Sequence, residues 1–478
     1  MNDVYSGLEP GELWRHFDAL NRIGRPSGNE AGARQYVQHV ASEYNCTFRT
    51  DSYGNIVVYV PSRTASTSPL PTCVQAHLDM VKATAPGVTH DFDTDPIVPQ
   101  RDGDRITATG TTLGADNGIG AAAALALITD TSLKTGPLEL LFTVEEETGL
   151  KGAAALDGSL LTSKALINLD SEDPSTLTIG CAGGEAVTIT VPVNMEPVPA
   201  DWSTWEVRIG GLRGGHSGVE IHKNLTNAIH YALRRSPGLR LASITGGSAH
   251  NAVPKEATAQ FCVPPERTEE WAGYRPDSKL IDEQRSRLNE PGLTVDIERT
   301  ATSQTALSVD DTAIVIDMLY AIKTGVITMS PVFSGKVQTS QNLAIVKTSD
   351  AAVDILVSIR SFVAADIQAA ENDLRKLADA AGASLTVSSA YPSWEPNPSS
   401  TLLRTTMEAF EHIMGKAPIV EVIHAGLECG VISAKVPGME AISFGPTITG
   451  AHTPEEAVYP ESVKSTWKLL IEVLRRLS

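Results

Sequence analysis

The chain of 478 residues is poor in cysteine and in aromatic side chains, and it has no long apolar run. Its five cysteines are odd in number and widely separated, with no Cys-x-x-Cys pair, which argues against a disulfide framework, a zinc ribbon or a redox dithiol. The longest apolar stretch, 121–128, is far too short to cross a bilayer. We therefore expect no membrane span and reduced cysteines in the core.

Basic residues are also scarce relative to acidic ones. The chain has 38 Lys and Arg against 57 Asp and Glu, which gives a formal net charge of −19. A charge of this sign repels nucleic acid and anionic lipid, so we expect neither as a partner. The first ten residues carry acidic side chains and lack the apolar segment of a secretion signal. These features predict a cytoplasmic protein.

The length exceeds the roughly 250 to 300 residues at which single cores stop growing, so two domains are expected. Near the start, short apolar segments alternate with helical ones, and this alternation predicts an α/β sheet with helices on its faces. The predicted strands are 55–60, 72–76, 138–144 and 165–169, and the predicted helices are 116–127 and 149–156.

The segment Ser27-Gly28-Asn29-Glu30 has the Ser-x-x-Glu form of a capping box, and it predicts a helix that begins there. After residue 184 the pattern changes to longer alternating strands, and a Gly-rich turn at 210–218 follows them. The last part, from a helix at 401–414 onward, returns to the earlier style. The middle of the chain thus reads as a separate α/β layer.

Five segments place an acid or a histidine at the carboxyl end of a predicted strand or at the start of a helix, where open α/β sheets build their sites. Each alone has a simpler explanation, such as a hydrogen-bonded core histidine, a helix N-cap or a solvated charge cluster. Together they offer imidazole and carboxylate ligands, and two zinc ions in one site need about five of these. The segments are 76–79, 114–118, 145–147, 168–170 and 450–453.

These segments resemble the successive motifs of the M20 family of metallopeptidases, most closely its aminoacyl-histidine (Xaa-His) or cytosol non-specific dipeptidase branch. The resemblance covers essentially the whole chain, and no single motif decides it. The motifs are His77-Leu78-Asp79-Met80, Gly114-Ala115-Asp116-Asn117-Gly118, Glu146-Glu147-Thr148-Gly149, Asn168-Leu169-Asp170, Gly214-Gly215-His216-Ser217-Gly218, His250-Asn251-Ala252, Ala425-Gly426-Leu427-Glu428 and Gly450-Ala451-His452-Thr453-Pro454-Glu455-Glu456.

The resemblance implies a site for two Zn²⁺ per chain, with Co²⁺ or Mn²⁺ as substitutes, in which a zinc-bridged water attacks the peptide bond. Asp116 would bridge the ions, Glu146 would be the general base, and Asp79 would hold a ligand ring in place. Because three acids are consecutive, Glu145-Glu146 or Glu146-Glu147 could be the base and ligand pair, and the following Thr148-Gly149 favours the second. The implied ligands are His77, Asp116, Glu147, Asp170 and His452.

Further residues are implied for the substrate. His216 would stabilise the oxyanion, Asn251 and Arg360 would take the free carboxylate, and Gly426 would add a backbone contact. The expected substrates are dipeptides such as β-alanyl-histidine. A tripeptidase and an N-acyl amino acid deacylase would share the metal site, whereas an inactive binding homologue would have lost a ligand or the base.

The implied ligands come from both ends of the chain, so one catalytic domain must be built from both. We expect residues 1–185 and 392–478 to form a mixed-sheet di-zinc peptidase domain and residues 186–391 to form an inserted α/β lid. The resemblance also implies a homodimer through the lid. Whether His216 acts within its own chain or across the dimer stays open.

Overall fold

A computed structural model describes residues 3–65, 71–234, 238–273 and 278–478. The chain divides into two compact units. Unit 1 consists of Met1–Cys181, Trp394–Val422 and Leu427–Ser478, and unit 2 consists of Ala182–Ser393 and Ile423–Gly426. The short segment 423–426 thus groups with unit 2, although the sequence reading did not separate it from its neighbours. The prediction of a mixed α/β fold is confirmed.

The α-helices are α1 (Gly11–Asn21), α2 (Ala31–Glu43), α3 (Ala115–Thr129), α4 (Lys151–Ala155), α5 (Ala228–Ala232), α6 (Thr268–Gly273), α7 (Ser278–Leu288), α8 (Val309–Ala321), α9 (Ala364–Ala380), α10 (Thr401–Met414), α11 (Glu428–Lys435) and α12 (Pro460–Leu477). Among the described residues, no helix is long and apolar enough to cross a membrane.

The β-strands are β1 (Thr47–Thr50), β2 (Ile56–Val60), β3 (Thr72–His77), β4 (Pro99–Asp102), β5 (Arg105–Ala108), β6 (Leu138–Thr143), β7 (Ala165–Asn168), β8 (Thr176–Cys181), β9 (Gly183–Pro192), β10 (Met195–Pro197), β11 (Ser203–Gly210), β12 (Gly215–His216), β13 (Arg240–Gly246), β14 (Ala252–Val253), β15 (Ala257–Val263), β16 (Thr294–Thr300), β17 (Thr305–Leu307), β18 (Gly325–Met329), β19 (Val337–Thr348), β20 (Ala352–Ser361), β21 (Ser384–Tyr391), β22 (Ile419–Ile423), β23 (Glu440–Ser443), β24 (Ile448–Thr449) and β25 (Ala457–Val458).

Unit 1 is organised around a mixed sheet with the strand order β1-β2-β6-β3-β7-β23-β8-β22. The central strand β3 runs parallel to β6 and β7, and β7 runs parallel to β23. Every residue of β3 and β6 is buried, which is typical of strands in a parallel sheet that is covered on both faces. Because the carboxyl ends of these parallel strands meet at one sheet edge, the polar residues that follow them come together there.

The predicted capping box at 27–30 is wrong. Helix α2 begins at Ala31, and its N-cap residue Glu30 makes no side-chain capping bond. The Ser27 hydroxyl instead donates to Oδ2 of Asp79 at 2.8 Å. A tertiary contact with the predicted site therefore takes the place of the local cap.

Unit 2 contains a second sheet with the order β16-β11-β15-β13-β19-β20-β9-β21, and β18 also pairs with β19. Alternate residues of β9 and β20 are buried in one apolar cluster together with side chains of α9. The other face of these strands carries polar side chains, and Thr190 there donates to Asp354 Oδ1 at 2.7 Å. The sheet thus has one apolar face and one polar face in this region.

Candidate functional site

The first group of predicted ligands forms around His77, the last residue of β3. Its Nε2 atom lies 3.2 Å from Oδ1 of Asp116 and 3.3 Å from Oδ1 of Asp170. Asp116 stands near the start of α3, where its backbone is not helical, and the peptide bond to Asn117 is cis. Asp170 follows β7. The parallel strands β3 and β7 therefore bring His77 and Asp170 together, and the start of α3 adds Asp116.

The second group forms around His452, whose Nε2 atom lies 3.0 Å from Oδ2 of Asp116 and 3.0 Å from Oε2 of Glu147. The two carboxylate oxygens of Asp116 thus face two different imidazole rings. A carboxylate that faces two imidazole rings in this way could bridge two cations. The five side chains predicted as ligands all belong to these two groups.

The donor atoms fit divalent cations. Oε1 of Glu147 is buried and has no hydrogen-bond partner among the described residues. A buried carboxylate oxygen without a partner is costly, and a cation would remove that cost. Imidazole nitrogen and carboxylate oxygen are ligands of Zn²⁺ and of related transition metals. The chemistry of the cluster therefore agrees with a metal centre.

Asp79 links the first ligand to the acidic run. The Nδ1 atom of His77 lies 3.4 Å from Oδ1 of Asp79 and 3.2 Å from its carbonyl oxygen. The Asp79 carboxylate also accepts the backbone N–H groups of Glu146 at 3.0 Å and Glu147 at 3.1 Å. Burial raises the pKa of Asp79, but hydrogen bonds from His77, Ser27 and the backbone outweigh it and lower the pKa to about 2.

The three consecutive acids have different surroundings. Glu145 accepts hydrogen bonds from Lys151 Nζ at 2.9 Å and from the Tyr53 hydroxyl at 3.1 Å. Glu146 and Glu147 both have a carboxylate oxygen close to the ring of His77. Desolvation raises the pKa of Glu146 well above its ordinary value, against the opposing charge of His77. Burial thus favours the protonated form of this carboxyl group.

Glu456 lies in the last of the family-like motifs, and the sequence predicts no role for it. Its buried carboxylate accepts the backbone N–H groups of Leu113 at 2.7 Å, Gly114 at 2.9 Å and Asp116 at 3.1 Å. It therefore fixes the loop that presents Asp116. Its position four residues after His452 was the one available signal.

Two further residues behind the ligands were also missed. Arg25 is completely buried and donates to the carbonyl oxygens of Leu78 at 3.0 Å and Gly114 at 2.5 Å. The Asn117 amide donates to Oδ1 of Asp170 at 2.5 Å. Both side chains hold ligand-bearing loops in place, and neither lies in a local pattern that would predict this role.

A row of buried polar side chains crosses the sheet beneath the ligands. Gln75 donates to Oε2 of Glu428 at 2.5 Å and accepts from the Asn168 amide at 2.6 Å. Asn168 in turn accepts from the Ser443 hydroxyl at 2.5 Å. Burial raises the pKa of Glu428 to about 8. Gln75 and Asn168 each precede a predicted ligand by two residues, so the row supports the strand ends that carry those ligands.

The other predicted site residues lie in unit 2. Nδ1 of His216 accepts the backbone N–H groups of Gly218 at 3.0 Å and Val219 at 3.2 Å, so a neutral ring carries its proton on Nε2. Desolvation, followed by the charge of Arg360, lowers the pKa of His216. The ring is therefore a neutral donor whose N–H points away from its own loop.

Asn251 lies beside His216, because β12 pairs with β14 and Ser217 N–H donates to the Asn251 carbonyl at 2.8 Å. Both residues line a cavity of about 640 Å³ within unit 2. Arg360 is 8% exposed on β20, and Gly426 belongs to the segment that groups with unit 2. A Cβ atom on Gly218 would lie 2.5 Å from the His424 carbonyl, so this segment packs directly against the His216 loop.

Comparison with known proteins identifies relatives over the full length of this chain. A model of peptidase family M20/M25/M40 matches residues 73–476. The cytosol non-specific dipeptidase of Escherichia coli K12 is 37% identical over 478 residues, which cover 99% of each chain. The crystal structure of aminoacylhistidine dipeptidase from Vibrio alginolyticus matches with a TM-score of 0.91 and 35% identity, over 99% of this chain and 98% of that one.

A tripeptidase from Staphylococcus aureus shares the fold, with a TM-score of 0.60 and 15% identity over 98% of this chain and 99% of that one. Both the family model and the curated relative span the segments that carry the clustered acids and histidines of unit 1. The chain belongs to peptidase family M20.

Proposed function

We propose that this chain hydrolyses the peptide bond of dipeptides at a two-metal centre, with broad specificity that includes Xaa-His substrates. The observation that carries the proposal is Asp116, whose two oxygens face His77 and His452 within a cluster of five ligand groups. Full-length similarity to two dipeptidases supports the substrate class.

His77, Asp116, Glu147, Asp170 and His452 would hold the two cations. When bound, the cations activate water and polarise the scissile carbonyl. Glu146 would accept the proton of the attacking water and return it to the leaving amine. The Nε2–H group of His216 would donate to the developing oxyanion, and Arg360 with Asn251 would hold the free carboxylate. Gly426 would add a backbone contact.

We propose that the metal is zinc, two ions per chain, with cobalt or manganese as substitutes. Prolonged chelation should abolish dipeptide cleavage, and each of these metals should restore it. Metal analysis of the purified protein should give about two ions per chain. Full activity after verified metal removal would contradict the mechanism.

The runner-up is a tripeptidase or an N-acyl amino acid deacylase, since either could use the same ligands. A panel of β-alanyl-histidine, a leucyl dipeptide, a tripeptide and an N-acetyl amino acid separates the three activities. We expect the two dipeptides to have the highest kcat/KM. A clear preference for the tripeptide or the N-acetyl compound would replace the dipeptidase proposal and leave the metal centre unaffected.

We also propose that unit 2 acts as a lid, that the protein is a cytoplasmic homodimer, and that the dimer forms through unit 2. Exposed large apolar side chains are concentrated in one segment of this unit, which supports an interface there. They are Val309, Ile314, Tyr320, Met329 and Val332. The name of the Escherichia coli relative supports the location.

Mixed dimers test whether His216 serves the partner's site. A His216→Ala chain and a Glu146→Ala chain are each expected to be nearly inactive. If the histidine acts across the interface, mixing them creates one site with both groups and restores up to about half of the activity per dimer. No recovery, with subunit exchange verified by tagged chains, would place the histidine in its own chain's site.

A further inference from the structure

Four residues of unit 2 form one row across the second sheet. In the antiparallel pairs, Ser340 is the direct partner of Arg360, Arg360 is the partner of Gly184, and Gly184 is the partner of Tyr391. Direct partners in a sheet share one face. The row lies on the polar face, because its neighbour Ile359 belongs to the apolar cluster on the opposite face.

Gly184 lets Tyr391 reach Arg360 across the strand between them. Nη1 of Arg360 donates to the Tyr391 hydroxyl at 2.6 Å. A Cβ atom on Gly184 would lie 2.7 Å from the hydroxyl oxygen of Tyr391 and 2.8 Å from its Cζ atom. These distances are too short for any side chain with a Cβ atom. The absence of a side chain at 184 therefore makes room for the phenol group over the strand.

Within the part of the chain that the structure describes, the buried guanidinium of Arg360 has no carboxylate partner. Only 8% of the residue is exposed, its Nε atom has no hydrogen-bond partner among the described residues, and the partner of its Nη1 atom is a neutral hydroxyl. A buried cation without a counter-charge is costly. Arginine offers a planar set of donors that matches a carboxylate. The Nε–H group of Arg360 is thus free to donate to one carboxylate group of a ligand.

The groups next to this cation are polar and neutral. Tyr391 lies on one side, and on the other side the Ser340 hydroxyl is 2.8 Å from Nε2 of His424. Burial and the charge of Arg360 lower the pKa of His424 to about 3, so the ring carries no charge near neutral pH. Arg360 is thus the one charged residue of the row, and its single positive charge matches the single negative charge of one carboxylate.

We propose that Tyr391, which reaches over Gly184, is a positioning residue that orients Arg360 to bind the one free carboxylate of the dipeptide substrate. This inference rests on the proposed function. The hydroxyl fixes Nη1 and thereby the plane of the guanidinium. Without it, the side chain samples other rotamers, and less of the ion-pair energy is available for binding.

The test compares a leucyl dipeptide with its C-terminal amide as a competitive inhibitor, because only the dipeptide has the carboxylate. For Tyr391→Phe we expect KM for the dipeptide to rise about ten-fold, the typical effect of one hydrogen bond to a charged group. The inhibition constant of the amide and kcat should stay within about two-fold of wild type. Tyr231→Phe, which removes a phenol hydroxyl that accepts from Arg287 at 3.3 Å elsewhere in unit 2, serves as the control and should match wild type.

Gly184→Ala provides an independent variant, since the added methyl group displaces the phenol ring. It should raise KM for the dipeptide as Tyr391→Phe does. The double variant should be no worse than Gly184→Ala alone, because both changes remove the same contact. Additive effects would mean that the two residues act separately, and this would overturn the positioning role. Circular dichroism confirms that each variant is folded.

Arg360→Met separates this inference from the proposed function. It should raise KM for the dipeptide by more than Tyr391→Phe does and leave the amide unaffected. If Arg360→Met behaves so while Tyr391→Phe keeps the wild-type KM, the role of Tyr391 is wrong and the proposed function stands. If Arg360→Met leaves KM for the dipeptide unchanged, the proposed carboxylate site itself is wrong. A fall in kcat at constant KM in Tyr391→Phe would also refute positioning.

Discussion

Replacing Glu456 by glutamine tests how the loop around Asp116 is held. The two oxygens of Glu456 accept three backbone N–H groups, from Leu113, Gly114 and Asp116. Leu113 and Gly114 both donate to Oε2, whereas Asp116 donates to Oε1. A glutamine can keep the first two bonds through its carbonyl oxygen. Its NH₂ group must then face the N–H of Asp116, and that bond is lost.

The expected magnitude follows from this loss. One hydrogen bond to a charged acceptor contributes about 1.5 to 3 kcal/mol when the other partner stays buried. This energy corresponds to about a 10- to 100-fold change in an equilibrium constant. Because Glu456 fixes the backbone of a residue that faces both imidazoles, we expect metal affinity to fall by about this factor. The unfolding free energy of the metal-free protein should fall by about 1.5 to 3 kcal/mol.

The assay is competition for metal with a chromogenic chelator, together with urea unfolding of the metal-free protein. Glu455→Gln is the matched control, because its side chain is exposed and adjacent in sequence. It should differ from wild type by less than about 0.5 kcal/mol. If Glu456→Gln resembles Glu455→Gln in both measurements, the role assigned to Glu456 is refuted.

Two further predictions concern one residue in each unit. Asn117→Ala removes a hydrogen bond to Asp170 Oδ1 at 2.5 Å and one to the Leu169 carbonyl at 2.8 Å. Metal affinity should therefore fall about ten-fold or more in the same chelator assay. An affinity equal to that of wild type would contradict this role. In the folded protein the pKa of His424 is about 3, whereas its ordinary value is 6.5. The neutral buried ring therefore contributes fully to the unfolding free energy above pH 6.5, and this contribution is lost as the pH falls, because the unfolded chain binds the proton more readily. Between pH 7 and pH 5, wild type should lose about 2 kcal/mol more unfolding free energy than His424→Gln in urea titrations, and parallel losses would refute this assignment.

The metal cluster could be predicted from the sequence because it depends on a general property of parallel sheets. Apolar strands that end in an acid or a histidine bring those side chains to one edge, and β3, β6 and β7 do so here. The pairing within the acidic run needed family likeness. The geometry around Glu145, which bonds to Lys151 and Tyr53, gives a physical reason for favouring the Glu146-Glu147 pair.

The supporting residues could not be predicted, since their partners are distant in sequence and leave no local pattern. Glu456 bonds to backbone groups more than three hundred residues away, and Arg25 binds carbonyl oxygens in two separate loops. At Ser27 a local pattern was present but misleading. It predicted a helix cap, whereas the hydroxyl donates to Asp79. The contact of Tyr391 with Arg360 depends on strand register, which alternation alone does not specify.

The central claim is that Glu146 transfers the proton at a metal centre built by its neighbours. The most direct measurement is kcat for a dipeptide with Glu146→Gln, made on protein whose metal content is determined in parallel. We expect about two metal ions per chain, as in wild type, and a fall in kcat of at least about 10² to 10⁴. Near-wild-type turnover with the metal in place would contradict the account, as would loss of the metal from Glu146→Gln combined with its retention in Glu147→Gln.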